Sequence, residues 1–109
     1  MVVDFKKLEA DIIANRKEKG FNNDIPSDFC RAYEELSEAF SKYNKNQPGV
    51  AEEFADVIIF LLGMSHTLGF DLEKELIDKV EKNKGRKYRK EKTPEGKDIF
   101  IRIRTPEDP

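Results

Sequence analysis

A chain of 109 residues, 39% charged and 38% hydrophobic, is large enough for one modest core and too small for two. Its net charge of −2 gives no reason to expect general binding to nucleic acid or to an anionic membrane, and a single cysteine, Cys30, excludes an intrachain disulfide framework or a cysteine-rich zinc site. The start, Met1-Val2-Val3-Asp4-Phe5-Lys6, has no long apolar segment, and the most apolar run, Phe54 to Met64, contains Asp56 and is too short to span a bilayer. The expectation is a soluble, cytoplasmic protein with no signal peptide and no membrane partner.

Phe5, Leu8, Ile12 and Ile13 recur at helical spacing and predict a first amphipathic helix from Asp4 to about Lys19, ended by Gly20. Asn22-Asn23-Asp24-Ile25-Pro26 reads as a loop. A second helix is expected from Ser27 or Asp28, with Phe29, Tyr33, Leu36, Phe40 and Tyr43 as its apolar stripe, broken by Asn44 to Gly49. The third, about Val50 to Leu68, is apolar nearly all round after its first two turns, which predicts burial on every side. Three other short helices can hardly enclose it, so a homodimer with this helix near the interface is expected. Asp71 is placed to cap a fourth helix carrying Leu72, Leu76, Ile77 and Val80. Beyond Gly85 the period changes: Thr93-Pro94-Glu95-Gly96 is a turn signal, and Ile99, Ile101 and Ile103 alternate with Phe100, Arg102 and Arg104. The predicted fold is all-α, a four-helix bundle-type single domain (residues 1–109, helical core about 4–86) with a short C-terminal β-hairpin or strand at about 87–104, dimerising through the apolar third helix.

Charge is sorted along the chain. Glu34 to Asp56 holds six acids against Lys42 and Lys45, whereas Lys82 to Lys92 holds seven Lys or Arg residues against Glu91 alone. Within the acidic stretch two pairs stand three residues apart, Glu35/Glu38 and Glu53/Asp56, and residues so spaced share a helix face. Two such pairs facing each other gather four oxygen ligands in a small volume, an arrangement that suits Mg²⁺ or Mn²⁺ and metal-assisted phosphate chemistry.

Taken alone, Glu34, Glu35 and Glu38 fall opposite the Phe29/Tyr33/Leu36/Phe40 stripe, where a solvated face belongs. Glu53 and Asp56 instead share a face with Phe60 and Met64, where carboxylates are costly unless paired, hydrogen-bonded or metal-bound; a capping role at the helix N-terminus is the competing account. Lys79, Asn83 and Arg86 follow at i, i+4 and i+7, a stripe suited to phosphate oxygens, against the plainer reading of a frayed helix end. His66 is the only histidine, so a ferritin-like di-iron centre fails on residue count, and no Gly-rich phosphate loop is present.

These elements together resemble the MazG-like, all-α nucleotide pyrophosphohydrolases, whose signature is Glu-Glu-x-x-Glu, then Glu-x-x-Asp after a variable gap, then Lys-x-x-x-Asn-x-x-Arg. The chain has Glu34-Glu35-Leu36-Ser37-Glu38, Glu53-Phe54-Ala55-Asp56 and Lys79 to Arg86 in that order, over roughly Phe29 to Arg86. The resemblance implies hydrolysis of a nucleoside triphosphate between its α and β phosphates. Glu35, Glu38, Glu53 and Asp56 would then be Mg²⁺ ligands, Glu34 the base acting on water, and Lys79, Asn83 and Arg86 the phosphate-binding group. It also implies a homodimer or a dimer of dimers. The rival expectations are a non-enzymatic helical dimerisation or regulatory module, and a pyrophosphohydrolase of the phosphoribosyl-ATP type.

Overall fold

The computed structural model describes residues 2–104. It is mostly helical: α1 (Phe5–Glu18), α2 (Ile25–Asn44), α3 (Val50–Leu68) and α4 (Leu72–Lys84), followed by strands β1 (Lys87–Lys92) and β2 (Asp98–Ile103) in one antiparallel sheet. The chain forms two compact units that meet in sequence between Glu73 and Lys74, inside the first turn of α4. No single helix among the described residues is long and apolar enough to cross a membrane.

In the first unit, Asp4 caps α1 by accepting a bond from the Lys7 amide at 3.1 Å. Asp24 does the same for α2, accepting from the Ser27 amide at 3.3 Å and from the Ser27 hydroxyl. That cap moves the start of α2 into the predicted loop: Ile25 and Pro26 are its first residues, since proline lacks only an N–H that the first turn leaves unused. The turn from α2 to α3 passes through Asn46 at φ 53° and Gly49 at φ 101°, the latter a left-handed conformation that a side chain strains.

α2 and α3 pack as an antiparallel pair, and the face that α2 turns to α3 differs from the predicted one. Asp28, Ala32 and Ala39 are buried and Glu35 is half-buried, a stripe at i, i+4, i+7 and i+11 that Lys42 continues. The two alanines let the helix axes approach closely. Phe29, Tyr33, Leu36, Phe40 and Tyr43 point away and stay 44% to 71% exposed. The prediction that α3 is buried on every side also fails within one chain: Leu62 and Met64 are buried, but Phe54 and Ile58 remain about half exposed. An apolar hollow lined by Leu36, Ala39, Phe40, Tyr43, Val50 and Phe54 lies on this open face. The physical reason is the thinness of the internal core, whose buried apolar residues among those described are Ala32 and Ala39 from α2 and Leu62 and Met64 from α3.

Beneath α1, Arg16 is buried and its Nη2 donates to Oδ2 of Asp28 at 2.6 Å. The guanidinium lies in a slot left by Gly63, where an added Cβ would sit 2.5 Å from Nη1.

In the second unit, the hairpin pairs Lys87 with Ile103, Tyr88 with Arg102 and so on to Lys92 with Asp98. Thr93 closes the turn, its Oγ1 accepting from the Lys97 amide at 3.1 Å.

Candidate metal centre

Because α2 presents its Asp28/Ala32/Glu35/Ala39 face to α3, Glu35, assigned by spacing to solvent, is half-buried, while Glu34 and Glu38 stay exposed at the edge of that face. Glu35 and Glu38 from α2 and Glu53 from the first turn of α3 bring one carboxylate oxygen each within 4.8 Å of one another. Glu53 is 7% exposed. Its Oε1 accepts from the Lys42 ammonium at 2.6 Å, while its Oε2 is buried without a fixed donor.

The electrostatics record the crowding. A shared hydrogen bond with Glu53 is the main reason that the Glu35 carboxyl is pushed up to about 7, and its partial desolvation and the charges of Glu38, Glu53 and Asp56 act in the same direction. Glu53 is held below the ordinary carboxylate range by its bonds to Glu35 and then to Lys42. Lys42 is correspondingly raised by its bond to Glu53. The proton shared between Glu35 and Glu53 is one answer to the orphaned Oε2 of Glu53; a divalent cation is the other. The donor set is oxygen only and rich in negative charge, which fits Mg²⁺ or Mn²⁺ and not a soft metal.

Asp56, the fourth expected ligand, stands one turn along α3 from Glu53 and outside the close trio, although its charge acts on Glu35. Glu34 is exposed and lines a polar hollow of about 570 Å³ with Ser27, Cys30, Arg31, Glu35 and Phe60. It therefore stands beside the trio and not in it.

Lys79, Asn83 and Arg86 belong to the second unit. Nη1 of Arg86 donates to Oδ1 of Asn83 at 2.6 Å, and Nε of Arg86 is buried without an acceptor. The Lys79 ammonium is lowered first by the nearby Arg86 charge, then by desolvation, Lys82 and Arg102. Converging cations of this kind favour a phosphate-bearing anion.

Sequence reasoning missed Lys42, Arg102 and the Arg16–Asp28 pair. Lys42 carried a usable signal, since it lies seven residues from Glu35 and four from Glu38 on the same helical face. Arg102 alternates with Ile101 and Ile103, which places it on the face opposite theirs. Nothing in the sequence marks Arg16 as buried.

The family model described as the MazG-like family matches residues 27–98, a span containing all three acidic and basic motifs. No curated protein matches the chain, and no solved structure does.

Proposed function

Because this chain belongs to the MazG-like family, we propose that it is a divalent-metal-dependent nucleotide pyrophosphohydrolase, cleaving nucleoside or deoxynucleoside triphosphates to monophosphate and pyrophosphate in the cytoplasm. The observation that carries the proposal is the close trio of half-buried Glu35, exposed Glu38 and buried Glu53, with a buried carboxylate oxygen on Glu53 that no fixed donor satisfies.

Glu35, Glu38 and Glu53 would hold Mg²⁺ or Mn²⁺, with Asp56 as a further oxygen donor on the next turn. When bound, such an ion neutralises phosphate charge and lowers the pKa of a coordinated water. Glu34, exposed to the polar hollow beside the trio, accepts the proton of the attacking water. In the second unit, Lys79, Asn83 and Arg86 form a phosphate-binding group, with Arg102 adding to its field. Lys42 balances the acids before metal arrives and fixes the Glu53 carboxylate in place.

The exposed apolar faces of α2 and α3 support assembly as a homodimer or a dimer of dimers. The activity is tested by incubating the protein with a mixture of dNTPs and Mg²⁺ and separating the products. Monophosphates with equimolar pyrophosphate are expected. Their absence, with the protein folded and metal-loaded, would favour a helical regulatory module instead.

A further inference from the structure

The net charge of −2 averages over a chain whose charges are segregated. Lys82 to Arg104 holds ten of the 20 Lys and Arg residues and three of the 22 acids. Most of that stretch is the β1–β2 hairpin, whose register decides which side chains share a face. Residues opposite each other in an antiparallel ladder project to the same side, and the side alternates with each step. Lys87/Ile103, Arg89/Ile101 and Glu91/Ile99 therefore lie on one face, and Tyr88/Arg102, Lys90/Phe100 and Lys92/Asp98 on the other.

The second face repeats one chemical unit. Tyr88 is 50% exposed and Phe100 65% exposed, so both present ring surface to solvent. Each ring has a cation opposite it in the ladder, Arg102 for Tyr88 and Lys90 for Phe100, and Lys92 extends the row. Tyr88 and Phe100 are themselves diagonal neighbours, with backbones roughly 7–8 Å apart in such a ladder. Asp98, the acid on this face, is shared by Lys90 at 3.2 Å and Lys92 at 3.4 Å, which leaves a positive excess. Exposed pairs of this kind are worth little and give way to a phosphate.

A ring beside a cation, twice over, matches a polymer whose repeat is a base beside a phosphate. A duplex keeps its bases stacked inside and offers the rings nothing, and an acidic peptide supplies no flat partner for them. A single strand offers unstacked bases to aromatic side chains and phosphates to Lys and Arg.

We propose that the Tyr88/Phe100 face of the hairpin binds single-stranded nucleic acid, with bases stacked on the two rings and phosphates at Lys90, Lys92 and Arg102. This goes beyond the pyrophosphohydrolase reading: it uses no residue of the acidic trio and stands whether or not the chain hydrolyses nucleotides.

The test is fluorescence anisotropy of labelled deoxythymidylate and uridylate 12-mers titrated with the full chain in EDTA, so that no divalent ion at the acidic trio recruits phosphate. Binding is expected, and it should weaken by about 20-fold between 50 and 200 mM salt, since each of three neutralised phosphates contributes about −0.7 to the log–log slope. Phe100→Ala, at an exposed position, should weaken binding by about fivefold or more, the low end for one stacked base. Phe100→Trp should retain binding; the chain has no other tryptophan, so quenching of its emission by the unlabelled 12-mer reports stacking directly. Lys90→Gln combined with Lys92→Gln should reduce the salt slope to about one third. The proposal is overturned if neither 12-mer binds, if a mononucleotide or a 12-base-pair duplex binds as tightly, or if Phe100→Ala keeps wild-type affinity with unchanged circular dichroism. Binding to phosphatidylserine vesicles without binding to either 12-mer would make the face a membrane contact. A lower molar mass for Phe100→Ala by light scattering would make it a contact between copies of this chain, and either result also overturns the proposal.

Discussion

The ammonium of Lys42 lies 2.6 Å from Oε1 of Glu53, so a positive charge from the last turns of α2 already occupies one side of the carboxylate nest. A divalent ion arriving at Glu53 meets a resident competitor. Lys42→Met should therefore lower the melting temperature of the metal-free protein, because Glu53 is left buried beside Glu35 and Glu38 without its counter-charge. The same variant should bind Mn²⁺ about fivefold or more tightly, the low end of coupling between interacting sites. Thermal shifts with and without Mn²⁺ measure both effects, and an unchanged metal-induced shift would show that Lys42 does not compete.

A proton is the second competitor. Glu35 keeps its proton to about 7, against an ordinary value of 4.5. Between these values the metal-free fold binds more protons than the unfolded chain, so the contribution of Glu35 to stability declines as pH rises through that window. The depressed Glu53 contributes the opposite sign, with stability lost as pH falls through its folded value. Metal must displace the Glu35 proton, so affinity should rise by about tenfold per pH unit below 7 and level off above it, with about one proton released at pH 6 and close to none at pH 8. Titrations in buffers of different ionisation enthalpy count those protons directly.

The roles of neighbouring acids separate by variant. Glu38→Gln should cut Mn²⁺ affinity by at least about 100-fold, because even indirect partners of a metal cost 10- to 100-fold when removed. Asp56→Asn is expected to abolish Mg²⁺-dependent pyrophosphate release with the helical spectrum unchanged. Glu34→Gln should retain metal affinity and lose about 10²- to 10⁴-fold in turnover, the usual range for a missing general base. Loss of metal affinity in Glu34→Gln would make it a ligand instead.

Gly63→Ala places a methyl group against the Arg16 guanidinium. A gain of about 1 kcal/mol in helix propensity is set against disruption of a buried ion pair, a loss of about 3–5 kcal/mol, which leaves the variant less stable by about 2–4 kcal/mol. In an Arg16→Met background, where no ion pair is left to disrupt, the same substitution should instead gain up to about 1 kcal/mol. Urea denaturation of the four proteins in this cycle tests the coupling.

Phe40 is 63% exposed on the open face of α2. Phe40→Asp should leave the helical spectrum intact and reduce the molar mass measured by light scattering. An unchanged mass would move any subunit contact elsewhere.

Helix number, the hairpin and three of the four acids expected to cluster, Glu35, Glu38 and Glu53, were legible because each rests on local spacing. The orientation of α2 was not. A stripe of Phe29, Tyr33, Leu36, Phe40 and Tyr43 predicts which face avoids water, but it does not say whether the cover comes from the same chain. The Asp28/Ala32/Glu35/Ala39 face that packs on α3 is unremarkable in sequence, since small residues become informative only where helices approach closely. The start of α2 lies earlier than expected for a simpler reason: Asn22 to Pro26 reads as a loop, whereas the Asp24 cap makes Ile25 and Pro26 the opening of a helix. The Arg16–Asp28 pair depends on two elements twelve residues apart and on a gap at Gly63, a relationship that no local window contains.

The Gly49 turn reaches further than its place in the chain suggests. A Cβ at that position would come within 3.1 Å of the Lys42 ammonium, so a bare glycine in a loop that supplies no ligand leaves the room in which the cation beside Glu53 sits. Appetite for metal in this protein is thus adjustable from a turn outside the acidic motifs, and two chains with identical carboxylates but different turns need not load the same ion at the same concentration.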